Sequence, residues 1–232
     1  MEYNYTTDKA YELTQEEAQT LEQKYQVYER IIGRYPVSLG KEASKRDRDT
    51  LNLSSSTLTY GELDFTSIGE IFYTIENRYG KIKPGGVFYD LGAGTGKGVI
   101  AGALLHNFEK CVGIEVLESL YSISLQIQSE YNSVFSEEAN REFLTNAPEV
   151  KFLVGDMFEI GWGDADFIFA NSTCFDMEMM ARIAECPVKP GTWALTLTKS
   201  LNSPKWRILE SIRKNMSWGE ATVYIQQRIE DS

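Results

Sequence analysis

The chain has 232 residues, of which 42% are hydrophobic and 25% are charged, so it can bury the core of one large domain with a small extension. Its 23 basic and 34 acidic residues give a formal net charge of −11 at pH 7. This acidic balance argues against a general nucleic-acid-binding protein, because neutralising phosphates requires a surplus of cations. It is compatible with a basic protein partner.

Several classes of protein are excluded by simple sequence features. The segment Met1–Tyr5 lacks a cationic stretch followed by an apolar run, and no segment approaches the roughly 18 apolar residues of a membrane span. Cys111, Cys174 and Cys186 are too few and too widely spaced for a disulfide framework. The single histidine, His106, excludes a mechanism that needs two. We expect an intracellular protein, cytoplasmic or nuclear, with neither a membrane span nor a metal site.

Two helices are predicted before the first strand. Apolar residues recur at helical spacing over residues 9 to about 35, which predicts the first helix. Pro36 and the charged run Lys41–Asp49 interrupt this pattern, and we interpret the run as a solvated loop. The second helix is amphipathic, is predicted over residues 66–79, and ends before Gly80.

From Gly85 onward the chain alternates between short apolar strands and helices. Such alternation predicts a mainly parallel sheet covered by helices on both faces. We therefore expect an α/β domain over residues 58–232, preceded by an N-terminal helical extension over residues 1–57. Residues 206–218 are compatible with either a helix or a closing strand. The strands are expected at residues 87–90, 110–115, 150–154, 166–170, 192–198 and 221–229.

The most informative segment reads DLGAGTG and begins with Asp90 at the end of the first predicted strand. Its glycines stand at alternate positions: Gly92, Gly94 and Gly96. Glycine permits positive φ angles and allows the backbone to approach a ligand closely. Glu115 ends the second predicted strand, where an acid can accept hydrogen bonds from both ribose hydroxyls of a nucleoside. The pattern predicts a nucleoside site.

Two phosphate-binding motifs fit this segment poorly. In a P-loop, Leu91 would have to be the first glycine, and Gly98 stands where a Ser or Thr would hold Mg²⁺. A dinucleotide-binding pattern is found only at residues 96–101, in a register shifted into the predicted helix. The P-loop interpretation therefore fails, and the dinucleotide interpretation is weak.

Polar side chains also follow the third and fourth predicted strands. Asp156 can accept from an adenine amino group while Met157 packs on the ring, although Asp156 is equally suited to cap a helix. Asn171 ends the fourth strand, where ligands of open α/β sheets bind, although it also suits a turn. Together with the glycine turn and Glu115, these positions resemble the cofactor site of class I methyltransferases. That resemblance implies S-adenosyl-L-methionine as the cofactor, its methionine end held by Asp90 and the first glycines.

Four segments, spread over roughly three quarters of the chain, resemble the catalytic domain of the disruptor-of-telomeric-silencing histone lysine methyltransferases, which lack a SET domain. Tyr60-Gly61-Glu62-Leu63 is similar to Tyr-Gly-Glu-Thr, the loop that covers the cofactor in that family. Residues 90–97 match its glycine loop, with Lys97 where the family usually has Gln. The similarity implies that Tyr60 and Glu62 lie over the methionine moiety of the cofactor.

The remaining two segments resemble the acceptor side of that family. Asn171-Ser172-Thr173-Cys174-Phe175 is similar to Asn-Asn-Phe-Ala-Phe and keeps the first Asn and the last Phe. Trp218 and Tyr224 are similar to aromatic residues of the family's closing strands, which line a lysine channel. The resemblance implies that Asn171 orients the acceptor amine and that Phe175, Trp218 and Tyr224 form an apolar channel. It also favours strands for the end of the chain.

The resemblance implies a Rossmann-like class I methyltransferase fold, in which a mainly parallel seven-stranded sheet carries an antiparallel closing strand. It implies transfer to a lysine of a protein substrate, possibly a basic one. The acidic net charge argues against direct nucleic-acid binding. Two alternatives stay open. One is methylation of a small-molecule amine or a nucleic-acid base, although Ser172-Thr173 stand where base methyltransferases commonly have prolines. The other is a cofactor-binding protein without activity.

Overall fold

The computed structural model describes residues 11–50, 62, 64–136, 147–216 and 219–230. The helices are α1 (Gln15–Ile32), α2 (Val37–Thr50), α3 (Phe65–Arg78), α4 (Lys97–Leu105), α5 (Glu118–Ser136) and α6 (Met177–Glu185). The strands are β1 (Val87–Leu91), β2 (Lys110–Glu115), β3 (Glu149–Val154), β4 (Phe167–Ala170), β5 (Trp193–Leu197), β6 (Trp206–Met216) and β7 (Gly219–Arg228). Within these ranges no helix has the length and apolarity that crossing a bilayer requires.

The strands form one seven-stranded sheet in the order β3-β2-β1-β4-β5-β7-β6. The first five run parallel, β7 pairs antiparallel with β5, and β6 pairs antiparallel with β7. The Rossmann-like prediction is confirmed, including the antiparallel closing strands. Strands β2 and β3 lie on one side of β1. The chain then crosses to the other side of β1, where β4 and β5 lie. In open α/β sheets, ligands bind outside the carboxyl ends of the strands at such a switch point.

Aromatic residues of α3 and the central strands anchor the core on one face of the sheet. The ring of Phe167 on β4 stacks on Phe72 of α3 at 4.8 Å and on Phe88 of β1 at 5.5 Å, centroid to centroid. A second core on the opposite face contains Tyr89 and Ile168, the neighbours of these strand residues in sequence. Burial of both faces explains why the central strands are almost continuously apolar.

The first helix packs into the same core as the sheet. A capping box between Thr14 and Glu17 starts α1, because each side chain accepts from the backbone N–H of the other. The ring of Tyr28 lies 4.6 Å from that of Phe65 on α3, and Ile31 is fully buried. The N-terminal helices thus share a hydrophobic core with the rest of the chain, and the boundary at residues 57/58 stays a prediction.

The interpretation of Lys41–Asp49 as a loop is wrong, because these residues belong to α2. The charged side chains face largely outward, while Ala43 and Ser44 are buried. Asp47 also accepts hydrogen bonds from the backbone N–H and hydroxyl of Ser119 at the start of α5. Leu39 near the start of α2 packs against the core, but within residues 41–49 the buried residues are the small Ala43 and Ser44, so no apolar stripe marked this part of the helix in the sequence.

The other helices and strands lie close to the positions predicted from the sequence. The first helix is shorter than predicted, because it begins at Gln15 and ends at Ile32 rather than near residue 35. Residues 206–216 form a strand, which decides the ambiguity at the end of the chain. Each of the six strands predicted from alternation coincides with an observed strand to within about two residues.

Replacing Ile31 with Ala tests whether α1 belongs to the folding unit. Because Ile31 is fully buried, the substitution should lower the free energy of unfolding by about 2–5 kcal/mol. Gln19→Ala, at an exposed position of the same helix, should change it by less than about 0.5 kcal/mol. Urea unfolding curves measure both. Equal midpoints for the two variants would show that α1 folds apart from the sheet.

Candidate active site

A cavity of about 370 Å³ opens at the carboxyl ends of β1, β2 and β4, at the switch point of the sheet. Its volume lies within the roughly 300–1,000 Å³ of small-molecule sites. The residues predicted from the sequence that line it are Glu62, Asp90, Gly92, Gly94, Glu115, Asp156, Met157, Asn171 and Phe175. These residues are spread over more than 100 positions of the chain, and the parallel strands bring them to one edge of the sheet.

The glycine turn after β1 forms one wall of the cavity. Gly92, Gly94 and Gly96 have φ angles of 78°, 57° and 89°, a region that favours glycine. A Cβ at Gly92 would lie 3.1 Å from Cζ of Phe175 and would narrow the cavity. Gly96 does not line the cavity, since a Cβ there would meet the ring of Phe152 at 2.4 Å. The last glycine therefore serves the packing of α4 on the sheet.

Glu115 ties the glycine turn to the end of β2. Its Oε2 accepts from the backbone N–H of Gly94 at 2.7 Å, and its Oε1 accepts from that of Leu117 at 2.8 Å. Burial raises the pKa of Glu115, while these backbone N–H groups act in the opposite direction. A carboxylate has about four acceptor positions, so Glu115 retains capacity for the hydroxyls of a ligand.

Asp90 has a buried carboxyl group that the described residues do not satisfy. Its side chain is 2% exposed, and its Oδ1 has no hydrogen-bond partner among them. Burial, and then the charge of Glu115, raise the pKa of Asp90 well above its ordinary value. A buried carboxylate oxygen is costly unless a donor or cation reaches it. The site thus suits a ligand that brings a positively charged donor, as the ammonium group of an amino acid does.

Lys97, the first residue of α4, forms an ion pair with Glu62. Its Nζ lies 2.9 Å and 3.0 Å from the two carboxylate oxygens of Glu62, and its side chain is 8% exposed. In a P-loop, a lysine near this position would contact phosphate. Here a carboxylate neutralises it, in agreement with the absence of a complete phosphate-binding motif.

The part of the cavity next to the end of β3 combines predicted residues with ones that the sequence did not reveal. Oδ1 of Asp156 accepts from the backbone N–H of Phe158 at 2.9 Å, so its carboxylate also stabilises a local turn. The guanidinium of Arg182 on α6 lies 3.7 Å from the centroid of the Phe158 ring, and both residues line the cavity. No motif marks Arg182, because its place in the site depends on how α6 packs.

The loop after β4 is braced against the end of β5. Ser172 Oγ donates to the carbonyl of Leu197 at 2.7 Å and accepts from its N–H at 3.1 Å. Thr173 Oγ1 donates to Oδ1 of Asn171 at 3.3 Å and lies 3.1 Å from Oγ1 of Thr198. Two of the residues that depart from the similar family segment, Ser172 and Thr173, therefore make contacts that hold this loop.

Thr198 has an unusual backbone conformation at the carboxyl end of β5. With a φ of 67°, it is the one non-glycine residue with positive φ in the described ranges. The N–H of Lys199 donates to the carbonyl of Leu197 at 2.7 Å, which closes a γ-turn centred on Thr198. For a β-branched residue this conformation costs on the order of 1–3 kcal/mol. Such strain is found most often at functional sites.

The predicted aromatic channel is represented in the cavity by Phe175. Tyr224 lies on β7 opposite Thr196 and is half-buried, but it is not among the residues that line the cavity. Tyr60 and Trp218 fall outside the described residues. His106 lies at the opposite end of α4 and contacts Glu76, with 3.4 Å between its Nδ1 and the carboxylate. No cluster of metal-ligating side chains occurs in the described part of the chain.

Comparison with known proteins assigns the family. The family model "Histone methylation protein DOT1" matches residues 43–222, which is more than half of the chain. The chain belongs to the DOT1 family. The match includes the glycine turn, Glu115 and the loop after β4. Among curated proteins, none matches the sequence.

Two solved structures with TM-scores of at least 0.50 share the fold. TrmN from Thermus thermophilus is 12% identical with a TM-score of 0.51, and the alignment covers 79% of this chain and 53% of TrmN. A variant of MtNAS in complex with S-adenosylmethionine is 13% identical with a TM-score of 0.50, with 94% of this chain and 80% of MtNAS covered. An RNA methyltransferase from Salinibacter ruber, with S-adenosyl-L-homocysteine, is 21% identical with a TM-score of 0.49, with 72% and 93% covered.

Family and cavity agree on the cofactor and on the class of reaction. The buried acceptor Oδ1 of Asp90, the glycine turn and the carboxylate of Glu115 suit an adenosyl amino acid. This DOT1-family chain is therefore a methyltransferase that uses S-adenosyl-L-methionine.

The raised pKa of Asp90 predicts a pH-dependent stability. Because an acid with a raised folded-state pKa stabilises the fold only while protonated, the contribution of Asp90 to the unfolding free energy should fall as pH rises. The fall begins near the pKa of unfolded Asp, about 3.9, and ends above the folded-state pKa. Asp90→Asn removes this contribution, so as pH rises above about 4 its unfolding free energy should fall less, or rise more, than that of the native chain.

Urea unfolding at a series of pH values measures this slope. Asp49→Asn, at an exposed position of α2, is the control and should follow the native chain. Parallel profiles for the native chain and Asp90→Asn would show that Asp90 does not titrate in this way.

Proposed function

We propose that this methyltransferase transfers a methyl group to the ε-amine of a lysine in a basic protein. The match to the DOT1 family carries the proposal, because it spans both the cofactor cavity and the loop that ends in Phe175. The net charge of −11 supports it, since an acidic protein attracts a basic substrate.

The residues of the cavity divide into three groups around the proposed cofactor. Asp90 would accept from the ammonium group at the methionine end, where Glu62 and Lys97 also lie. Glu115 would accept from the ribose hydroxyls. The adenine would lie beside Asp156 and Met157, with the Phe158–Arg182 pair at the edge of the cavity. In each group a carboxylate would accept hydrogen bonds from the part of the cofactor beside it.

The chemistry requires position more than proton transfer by the enzyme. When bound, S-adenosyl-L-methionine supplies an electrophilic methyl group on a sulfonium. Asn171 and Phe175 lie at the end of the cavity formed by the loop after β4, and they would place the acceptor amine in line with that methyl. A free lysine has a pKa of about 10.4, and apolar surroundings lower it because they disfavour the charged form. Phe175 contributes such surroundings.

Glu115→Gln tests the assignment of the ribose site. Losing a hydrogen bond to a charged acceptor typically costs about 1.5–3 kcal/mol, so S-adenosyl-L-homocysteine should bind about 10- to 100-fold more weakly. Glu118→Gln, at an exposed position of α5, should bind like the native chain. Isothermal titration calorimetry measures each Kd. An unchanged Kd for Glu115→Gln would remove this residue from the site.

Asn171→Ala tests the acceptor side. The variant should bind S-adenosyl-L-homocysteine normally and lose about 100-fold or more in transfer rate, because the acceptor amine is no longer positioned. Asn132→Ala, at an exposed position of α5, is the matched control. Nucleosomes, free histones and a cell extract are incubated side by side with labelled S-adenosyl-L-methionine and analysed by mass spectrometry. Label on a small metabolite, with none on protein lysine, would refute the lysine proposal.

A further inference from the structure

Thr198 retains a β-branched side chain where glycine would be the relaxed choice. Its φ is 67°, and the residue is exposed, so burial does not explain the side chain. Its Oγ1 lies 3.1 Å from Oγ1 of Thr173. The strained turn therefore keeps a hydroxyl group at the loop after β4.

The same turn contacts Thr173 a second time. Nζ of Lys199 donates to the carbonyl of Thr173 at 3.0 Å. The neighbouring residue Ser172 is bonded to both backbone groups of Leu197. Contacts at the hydroxyl and at the carbonyl thus hold Thr173 against the end of β5.

The direction of the hydrogen bonds follows from the number of protons. Thr173 Oγ1 donates to Oδ1 of Asn171, and a hydroxyl has one proton to donate. In the contact between the two threonines, Thr198 must then be the donor. The chain runs from Thr198 through Thr173 to the side-chain amide of Asn171, over residues that are 25 positions apart in sequence.

The orientation of the Asn171 amide decides whether it assists or opposes the reaction. Turning the amide by half a rotation exchanges its oxygen and its nitrogen. The oxygen can accept an N–H of the acceptor amine and leaves the lone pair of the amine available to attack. The nitrogen would donate to that lone pair and compete with the reaction. The Oδ1 atom has two lone pairs, so accepting from Thr173 is compatible with accepting from the substrate.

We propose that Thr173 and Thr198 are positioning residues that hold the amide of Asn171 with its oxygen toward the acceptor amine. The inference rests on the proposed function of Asn171. The distance of 3.3 Å between Thr173 Oγ1 and Asn171 Oδ1 is long for a hydroxyl donor. Catalytic hydrogen bonds often shorten when the substrate binds.

The main test replaces the hydroxyl of Thr173 while keeping its shape. Thr173→Val should lower kcat about 10- to 100-fold, with the Kd for S-adenosyl-L-homocysteine within about 2-fold of native. Thr173→Ser restores the hydroxyl and should recover kcat to within about 3-fold of native. Thr20→Val, half-buried on α1, is the control. Transfer is measured on the extract protein that the native chain labels most strongly.

Substitutions at Thr198 distinguish an effect on stability from an effect on the position of Asn171. Thr198→Gly relieves the positive φ and removes the hydroxyl, so its melting temperature should equal or exceed the native value while kcat falls as in Thr173→Val. Thr198→Ser keeps the hydroxyl and should retain kcat. A structural role alone would couple the loss of activity to a loss of stability.

An NMR measurement tests the geometry without an acceptor. In ¹⁵N-labelled protein, the side-chain amide signals of Asn171 are assigned by their loss in Asn171→Ala. They should shift in Thr173→Val and return in Thr173→Ser. Unshifted signals together with native kcat in Thr173→Val overturn the inference, and the proposed function survives if Asn171→Ala is inactive. Full activity of Asn171→Ala overturns the inference together with the proposed role of Asn171, whereas lysine transfer itself is refuted only if no protein lysine carries the label.

Discussion

The two hydrogen bonds that Glu115 accepts from Gly94 and Leu117 hold the glycine turn against the end of β2. The turn has left-handed glycines at alternate positions, and the backbone N–H groups of Gly92 and Ala93 also donate to the carbonyl of Ile114 on β2. A buried carboxylate at this point stabilises the backbone before any ligand arrives. The same carboxylate is suited to a ribose, and structural and binding roles are therefore combined in one residue.

The charges of the buried side chains around the cavity determine which class of ligand it suits. Asp90 and Glu115 are both fully buried, and burial raises the pKa of each. The one buried cation beside them, Lys97, is neutralised by Glu62 within the described part of the chain. This excess of buried acid favours a ligand with a cationic amino group and disfavours a phosphate. An adenosyl amino acid meets both conditions, whereas a dinucleotide meets neither.

The acceptor side is built differently from the cofactor side. Backbone turns and buried carboxylates form the cofactor side, and they follow directly from short sequence motifs. Hydroxyl groups from two loops form the acceptor side, where Ser172 and Thr173 meet Leu197 and Thr198. Ser172 and Thr173 differ from the residues of the similar family segment, and in this chain they hold the loop after β4 against the end of β5.

The sequence by itself determined the features that depend on near neighbours in the chain. The alternation of strands and helices, the turn at Gly92–Gly96 and the acid at Glu115 are local patterns, and periodicity and glycine chemistry reveal them. Only the tertiary structure decided the helical state of Lys41–Asp49 and the place of Arg182 in the cavity, as it did the contact between Thr173 and Thr198. Each of these depends on packing between distant segments, which leaves no periodic signal in the sequence. A charged helix that meets the core through small residues looks like a loop until its neighbour α5 is in place.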